Sequence, residues 1–169
     1  EDAPDDVARL SFVEADPRSE THRAPAYRYP FLRRTCADRG LPTDDRVLDL
    51  PGIGDLSTAY DLRGYQTEAL EAWRDAGDRG VIELPTGSGK TVVAIGAIAA
   101  LDAPTLVVVP TIDLLEQWAG ELEAEFGDTT AIGRLGGGDQ RLEPITVATY
   151  DSAYLRADGI GDRFGLLVF

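Results

Sequence analysis

Lysine is almost missing from this chain: of its sixteen basic residues, fifteen are arginine and one, Lys90, is lysine. There is no methionine, one cysteine and one histidine. The single Cys36 excludes an internal disulfide and fits a buried or half-buried thiol in a reducing cytoplasm. His22 stands in a polar stretch with no second candidate ligand beside it, which speaks against a metal centre. No apolar run approaches the roughly 20 residues of a bilayer-spanning helix. The longest, Val92 to Leu101, is short and rich in alanine. The chain starts acidic, without the basic and then apolar segments of a secretory leader, so a cytoplasmic protein is expected.

Positive charge is scarce as a whole. Thirty acidic residues, nineteen of them aspartate, leave a net charge of −14 over 169 residues. The acids are scattered rather than blocked, which favours a strongly solvated surface over a docking patch. Excess aspartate with almost no lysine suits a halophilic archaeon, where high internal salt screens self-repulsion.

The one lysine sits in Pro85-Thr86-Gly87-Ser88-Gly89-Lys90-Thr91. A glycine-rich turn presents successive backbone N–H groups to a polyphosphate, a compact ammonium reaches the β- and γ-phosphates, and a threonine hydroxyl can hold Mg²⁺. The wider, planar guanidinium would serve poorly there. Residues 85–91 are therefore expected to bind ATP with Mg²⁺.

The flanking pattern supports that reading. Val81 to Leu84 reads as a short buried strand, and Thr91 to Leu101 as a small-residue helix. Tyr65, Ala69, Leu70 and Trp73 recur at helical spacing before Gly77. Further strands are expected at Thr105–Val109, Thr130–Leu135, Ile145–Thr149 and from Leu166. A long amphipathic helix is capped by Thr111. Such alternation predicts a parallel sheet with helices on both faces and the ligand beyond the strands' carboxyl ends. Upstream, Ala26 to Arg39 reads as a helix, Arg46 to Leu50 as a strand, and residues 51–54 as a turn or linker. The first twenty-three residues show little apolar pattern and read as a ragged remnant. The Gly136-Gly137-Gly138 run reads as a flexible loop, and Glu121, Glu123 and Glu125 as the solvated side of a helix.

With Leu84 where commoner phosphate loops carry glycine or alanine, the segment Pro85–Thr91 resembles the motor core of superfamily 2 helicases. LRGYQ at 62–66 is similar to a Q motif, whose glutamine reads the adenine edge; an amide can both donate to and accept from a purine. VVVPTIDLLEQW resembles motif Ia, and ITVATYDS the strand and loop that follow it. DRVLDL, LRGYQTEALEAW, LPTGSGKT, PTLVVVPTIDLLEQW and the segment from Ile145 to Phe169 together resemble the XPB family of DNA repair and transcription helicases, over roughly residues 46–169.

That resemblance implies a RecA-like α/β domain at 56–169, preceded at 1–55 by a linker and the possible end of a damage-recognition domain. It implies ATP and Mg²⁺ held by residues 85–91, with Lys90 and Thr91 catalytic and Thr91 on the metal. Adenine would be read by Gln66 with Arg63, and DNA, as single strand or fork, would be contacted by Thr111 and Thr149. Implied partners are a second motor domain, a repair nuclease and transcription-repair proteins. In the family, a strand like Gly165–Phe169 runs into an Asp-Glu-x-His box carrying the hydrolytic carboxylates. The sequence ends before such a box, so the isolated chain is expected to hydrolyse ATP negligibly. A duplex translocase of restriction or remodelling type, or a non-catalytic nucleotide-binding product, are the alternative readings. The acidity opposes contact with a polyanion unless local arginines or helix N-termini meet the backbone. If the charge reading is right, the melting temperature rises on going from dilute buffer to molar KCl; an unchanged or lower value contradicts it.

Overall fold

The computed structural model describes residues 4–47, 49–160 and 163–169 and divides into two units, Glu1–Arg46 and Val47–Phe169. In the first unit, Asp5–Ala8 makes one helical turn (α1), and Glu14–Asp16 (β1) pairs antiparallel with Thr21–Arg23 (β2). A 3₁₀ turn at Ala26–Arg28 leads into the helix Tyr29–Asp38 (α2). This corrects the expectation of a ragged remnant. The hairpin carries no apolar periodicity because polar contacts organise it: the Asp16 carboxylate accepts from Arg18 and lies 3.5 Å from Arg23. Paired with Arg18, that carboxyl is held below its usual pKa. The Phe12 ring meets Phe31 edge-on at 5.6 Å, and the Arg28 guanidinium stands 5.3 Å from the Phe12 centroid. Cys36 is buried, and Gly40 closes the helix at φ +62°.

The second unit is an α/β layer structure. Its helices are Gly64–Asp75 (α3), Lys90–Leu101 (α4), Ile112–Phe126 (α5), Tyr150–Leu155 (α6) and Ala157–Ile160 (α7). Its strands are Thr105–Val109 (β3), Ile132–Gly136 (β4), Asp139–Arg141 (β5), Ile145–Thr149 (β6) and Leu166–Val168 (β7), in the sheet order β5-β4-β6-β3-β7. Strands β4, β6, β3 and β7 run parallel and β5 antiparallel. Because side chains alternate along a strand, β3 serves two cores at once. Val107 and Val109 pack with Ile95 and Ile98 of α4 and with Leu115, Leu122 and Phe126 of α5. Leu106 and Val108 face the other way, with Leu135, Ala148 and Ile160. Helices on both faces are what the uninterrupted apolar runs required.

Four expectations are corrected. Residues 81–84 form no ladder: no described strand pairs with them, and the sheet ends on β7. They do alternate, Ile82 and Leu84 packing against Leu70, Val93 and Ala97 while Val81 is 96 % exposed. The period of a half-buried strand is present without the neighbour that would make it one. The strand expected at 46–50 is likewise absent from residues 46, 47, 49 and 50, and Leu48 lies outside the described residues. Gly137 and Gly138 are no loose loop. With φ of +62° and +98° they form the two-residue turn that pairs Gly136 with Asp139, a geometry glycine alone adopts without strain. The glutamate run is more than a solvated face. Glu123 binds Arg134 of β4 in a two-pronged pair at 2.8 and 3.0 Å, and Glu125 accepts from the Ala59 N–H. That pairing raises the Arg134 pKa.

Asp102, at φ +46°, directs its carboxylate to the N–H groups of Ile53 and Gly54, both at 3.1 Å. Gly133 is buried where β4 passes the 141–146 segment: a Cβ there would come within 2.6 Å of both the Arg141 carbonyl oxygen and Thr146 Oγ1. Gly133→Ala is expected to cost about 1–3 kcal/mol of stability by overpacking, read from urea denaturation midpoints.

Candidate nucleotide-binding site

Between the end of the 81–84 segment and the start of α4 the chain folds back on itself. Gly87 and Gly89 stand at φ +77° and +79°, which gives the loop its concave turn. The Lys90 ammonium donates to the carbonyl oxygens of Leu84 at 2.8 Å and Pro85 at 3.1 Å. Ser88 Oγ donates to the Pro85 carbonyl oxygen at 2.6 Å. Lys90, Pro85, Thr86 and Gly87 are exposed, whereas Thr91, Ser88 and Gly89 are half-buried.

This donor set suits a polyphosphate. Helix α4 begins on Gly89, which has no side chain to cap it, and its first turn holds no acidic residue. Its leading N–H groups and the positive end of its dipole are thus open to an anion, with Lys90 and Thr91 at the same place. Among the described residues no group of three or more His, Cys, Asp or Glu side chains converges. Thr91 would offer a Mg²⁺ one hydroxyl ligand, in keeping with a metal held mainly by substrate phosphates and water.

Beside the loop lies a pocket of about 220 Å³ walled by Tyr60, Asp61, Arg63, Gln66, Gly87, Ser88, Gly89 and Val92. It is below the size of a drug-sized site and suits one planar ring system. Gln66, 4 % exposed, stands between pocket and loop. Its Oε1 accepts from the Arg63 N–H at 2.8 Å, bracing the start of α3. Its Nε2 donates to the Ser88 carbonyl oxygen at 2.8 Å and, at 3.4 Å, to that of Gly89. The amide expected at an adenine edge is thus engaged with the protein's own backbone. Sequence reasoning passed over Tyr60 and Tyr65. Tyr60 follows Ala59 in the connection and belongs to no periodic element, while Tyr65 reads as one more residue at helical spacing. Its hydroxyl in fact donates to the Ser88 carbonyl oxygen at 2.8 Å.

Thr111 and Thr149 come together at one end of the sheet, since Val109 of β3 pairs with Thr149 of β6. Each hydroxyl caps a helix: Thr111 Oγ1 accepts from the Leu114 N–H, and Thr149 Oγ1 from the Ser152 N–H, both at 3.3 Å. Among the described residues, neither hydroxyl bonds to the phosphate loop.

A family model for the Type III restriction enzyme, res subunit, matches residues 59–169. A second, for the Xeroderma pigmentosum group B helicase damage recognition domain, matches residues 1–47. The chain belongs to the XPB helicase family. It is 39% identical to the DNA 3'-5' translocase XPB2 of Sulfurisphaera tokodaii over 89% of this chain and 34% of that protein. To the putative DNA 3'-5' helicase Rad25 of Halobacterium salinarum it is 41% identical over 72% of this chain and 20% of the relative. The XPB-family chain thus spans about a third or less of these relatives' length. A hypothetical ATP-dependent RNA helicase from Sulfolobus tokodaii shares the fold, with a TM-score of 0.50 and 22% identity over 80% of this chain and 39% of that one.

A methyl group at Gly89 would displace the Gln66 amide and strain the backbone. A Cβ at Gly89 would lie 2.6 Å from Gln66 Nε2, at a φ that L-residues rarely adopt. Gly89→Ala is expected to lower stability by about 1–2 kcal/mol, measured by urea denaturation.

Proposed function

We propose that residues 56–169 are the ATP-binding motor domain of an XPB-type, ATP-dependent DNA helicase or translocase. The observation that carries this reading is the uncapped start of α4, with Lys90 and Thr91 on it, behind the glycine turn. Bound MgATP would supply the phosphoryl transfer whose free energy drives stepping along DNA. The chain's own residues have narrower tasks. Lys90 exchanges the Leu84 and Pro85 carbonyl oxygens for phosphate oxygens, and the N–H groups at the start of α4 take the remaining phosphate charge. Thr91 offers its hydroxyl to the metal. Tyr60, Arg63 and Gln66 wall the adenine pocket, and Gln66 Oε1 keeps one lone pair for the base.

DNA would lie across the sheet end where α5 and α6 begin. Because the hydroxyls of Thr111 and Thr149 are engaged in capping, the backbone of these turns is the contact surface. Among the described residues no carboxylate lines the groove beside Lys90 and Thr91, which supports binding without efficient hydrolysis by these 169 residues alone. A second motor domain would complete the site. Residues 1–55 are read as the end of a damage-recognition-like domain, and the whole as a cytoplasmic repair or transcription motor of a halophilic archaeon. The match of residues 59–169 to the restriction-subunit model favours a second reading, a duplex translocase that does not unwind.

Lys90→Ala is expected to weaken MgATP binding at least tenfold in calorimetric titration of the chain, with no comparable change in melting temperature. Equal affinity for both proteins would remove the nucleotide reading. For the longer protein, displacement of a third strand from duplex without strand separation on a fork would decide for the translocase.

A further inference from the structure

The Ser88 carbonyl oxygen accepts two hydrogen bonds from outside the loop, from Tyr65 Oη and Gln66 Nε2, each at 2.8 Å. Both donors come from the first turn of α3, so one rigid element grips one loop atom from two directions. Both lone pairs of that oxygen are filled. The consequence follows from peptide planarity. In a trans peptide the C=O of one residue and the N–H of the next point in opposite directions. Fixing the Ser88 carbonyl therefore fixes the Gly89 N–H, turned away from Tyr65 and Gln66. Gly89 sits at φ +79°, ψ +44° and has no side chain, so its flanking peptides would otherwise turn at little cost.

We propose that Tyr65 is a positioning residue of the phosphate loop: with Gln66 it locks the Ser88–Gly89 peptide in the orientation that presents the Gly89 N–H to phosphate. The role rests on the nucleotide reading above and assigns Tyr65 no contact with the base. Arg63 Nη1, 3.5 Å from Tyr65 Oη, donates to a lone pair of that oxygen and leaves the hydroxyl proton directed at Ser88. Gln66 then has a task that does not depend on adenine, which accounts for an amide committed to backbone at both ends.

A ligand without a base separates this role from base recognition. The 169-residue chain, Tyr65→Phe, Gln66→Glu and Lys90→Ala are titrated calorimetrically with Mg-ATP and with Mg-tripolyphosphate, and their melting temperatures are recorded. Tyr65→Phe is expected to weaken both ligands by the same factor, about three- to tenfold for one lost hydrogen bond. Gln66→Glu, which sets a carboxylate against the Ser88 oxygen, weakens tripolyphosphate as well. A chain carrying 4-aminophenylalanine at position 65 keeps an N–H donor and recovers most of the affinity, which a loss of general stability would not allow. Wild-type affinity of Tyr65→Phe for tripolyphosphate overturns the lock, as does a loss confined to ATP. If Lys90→Ala binds both ligands as the parent does, or the parent binds neither, the nucleotide reading fails and the lock with it. Should Tyr65→Phe melt much lower, amide exchange of Gly89 in the folded fraction decides: faster exchange supports the lock, and unchanged exchange overturns it.

Discussion

Strands β3 and β6 run parallel in register from Thr105 opposite Ile145 to Val109 opposite Thr149. The rest of the second unit takes its position from that pairing. Both strands are buried on both faces, so a slip of one residue would exchange the side chains facing α4 and α5 for those facing α6 and α7. Two cores of different shape would then be mismatched together. The register also makes both strands finish at the same level, so that α5 and α6 start side by side from threonine caps. Positioning of the candidate DNA-facing turns is in this sense a by-product of core packing. The phosphate loop is less constrained by the sheet, because the segment before it has no described ladder partner.

That contrast explains what was legible. Thr105–Val109 and Ile145–Thr149 were visible as apolar runs between turn signals, and the structure returns their limits unchanged. Val81–Leu84 carries an equally good pattern, yet pattern specifies only which side chains face inward; a ladder needs a neighbour, and composition does not record one. The short strand β5 escaped because Asp139, Gln140 and Arg141 are all exposed and take their pairing from the glycine turn before them. The glycine turn before Lys90 was readable from seven residues. The employment of Tyr65 and Gln66 was not, since it depends on α3 lying against the loop some twenty residues further along the chain.

Acidic side chains recur as acceptors for backbone or arginine at points where the chain changes direction. Asp102 gathers the Ile53 and Gly54 amides, Glu125 takes Ala59, and Glu123 binds Arg134 across from helix to strand. A composition that looks like surplus surface charge therefore includes carboxylates that fix the first segment of the second unit. Salt would weaken the exposed repulsions more than these shorter, partly enclosed contacts.

The Lys90 ammonium rests on two carbonyl oxygens of its own loop. An ion waiting in water would have to shed its hydration shell as a ligand arrived. An ion already seated on protein oxygens can change partners one bond at a time, without passing through a naked charge. The same seating works in reverse, because the carbonyls receive the ammonium as the ligand departs. On the proposed nucleotide reading, such seating favours exchange of the occupant over long residence.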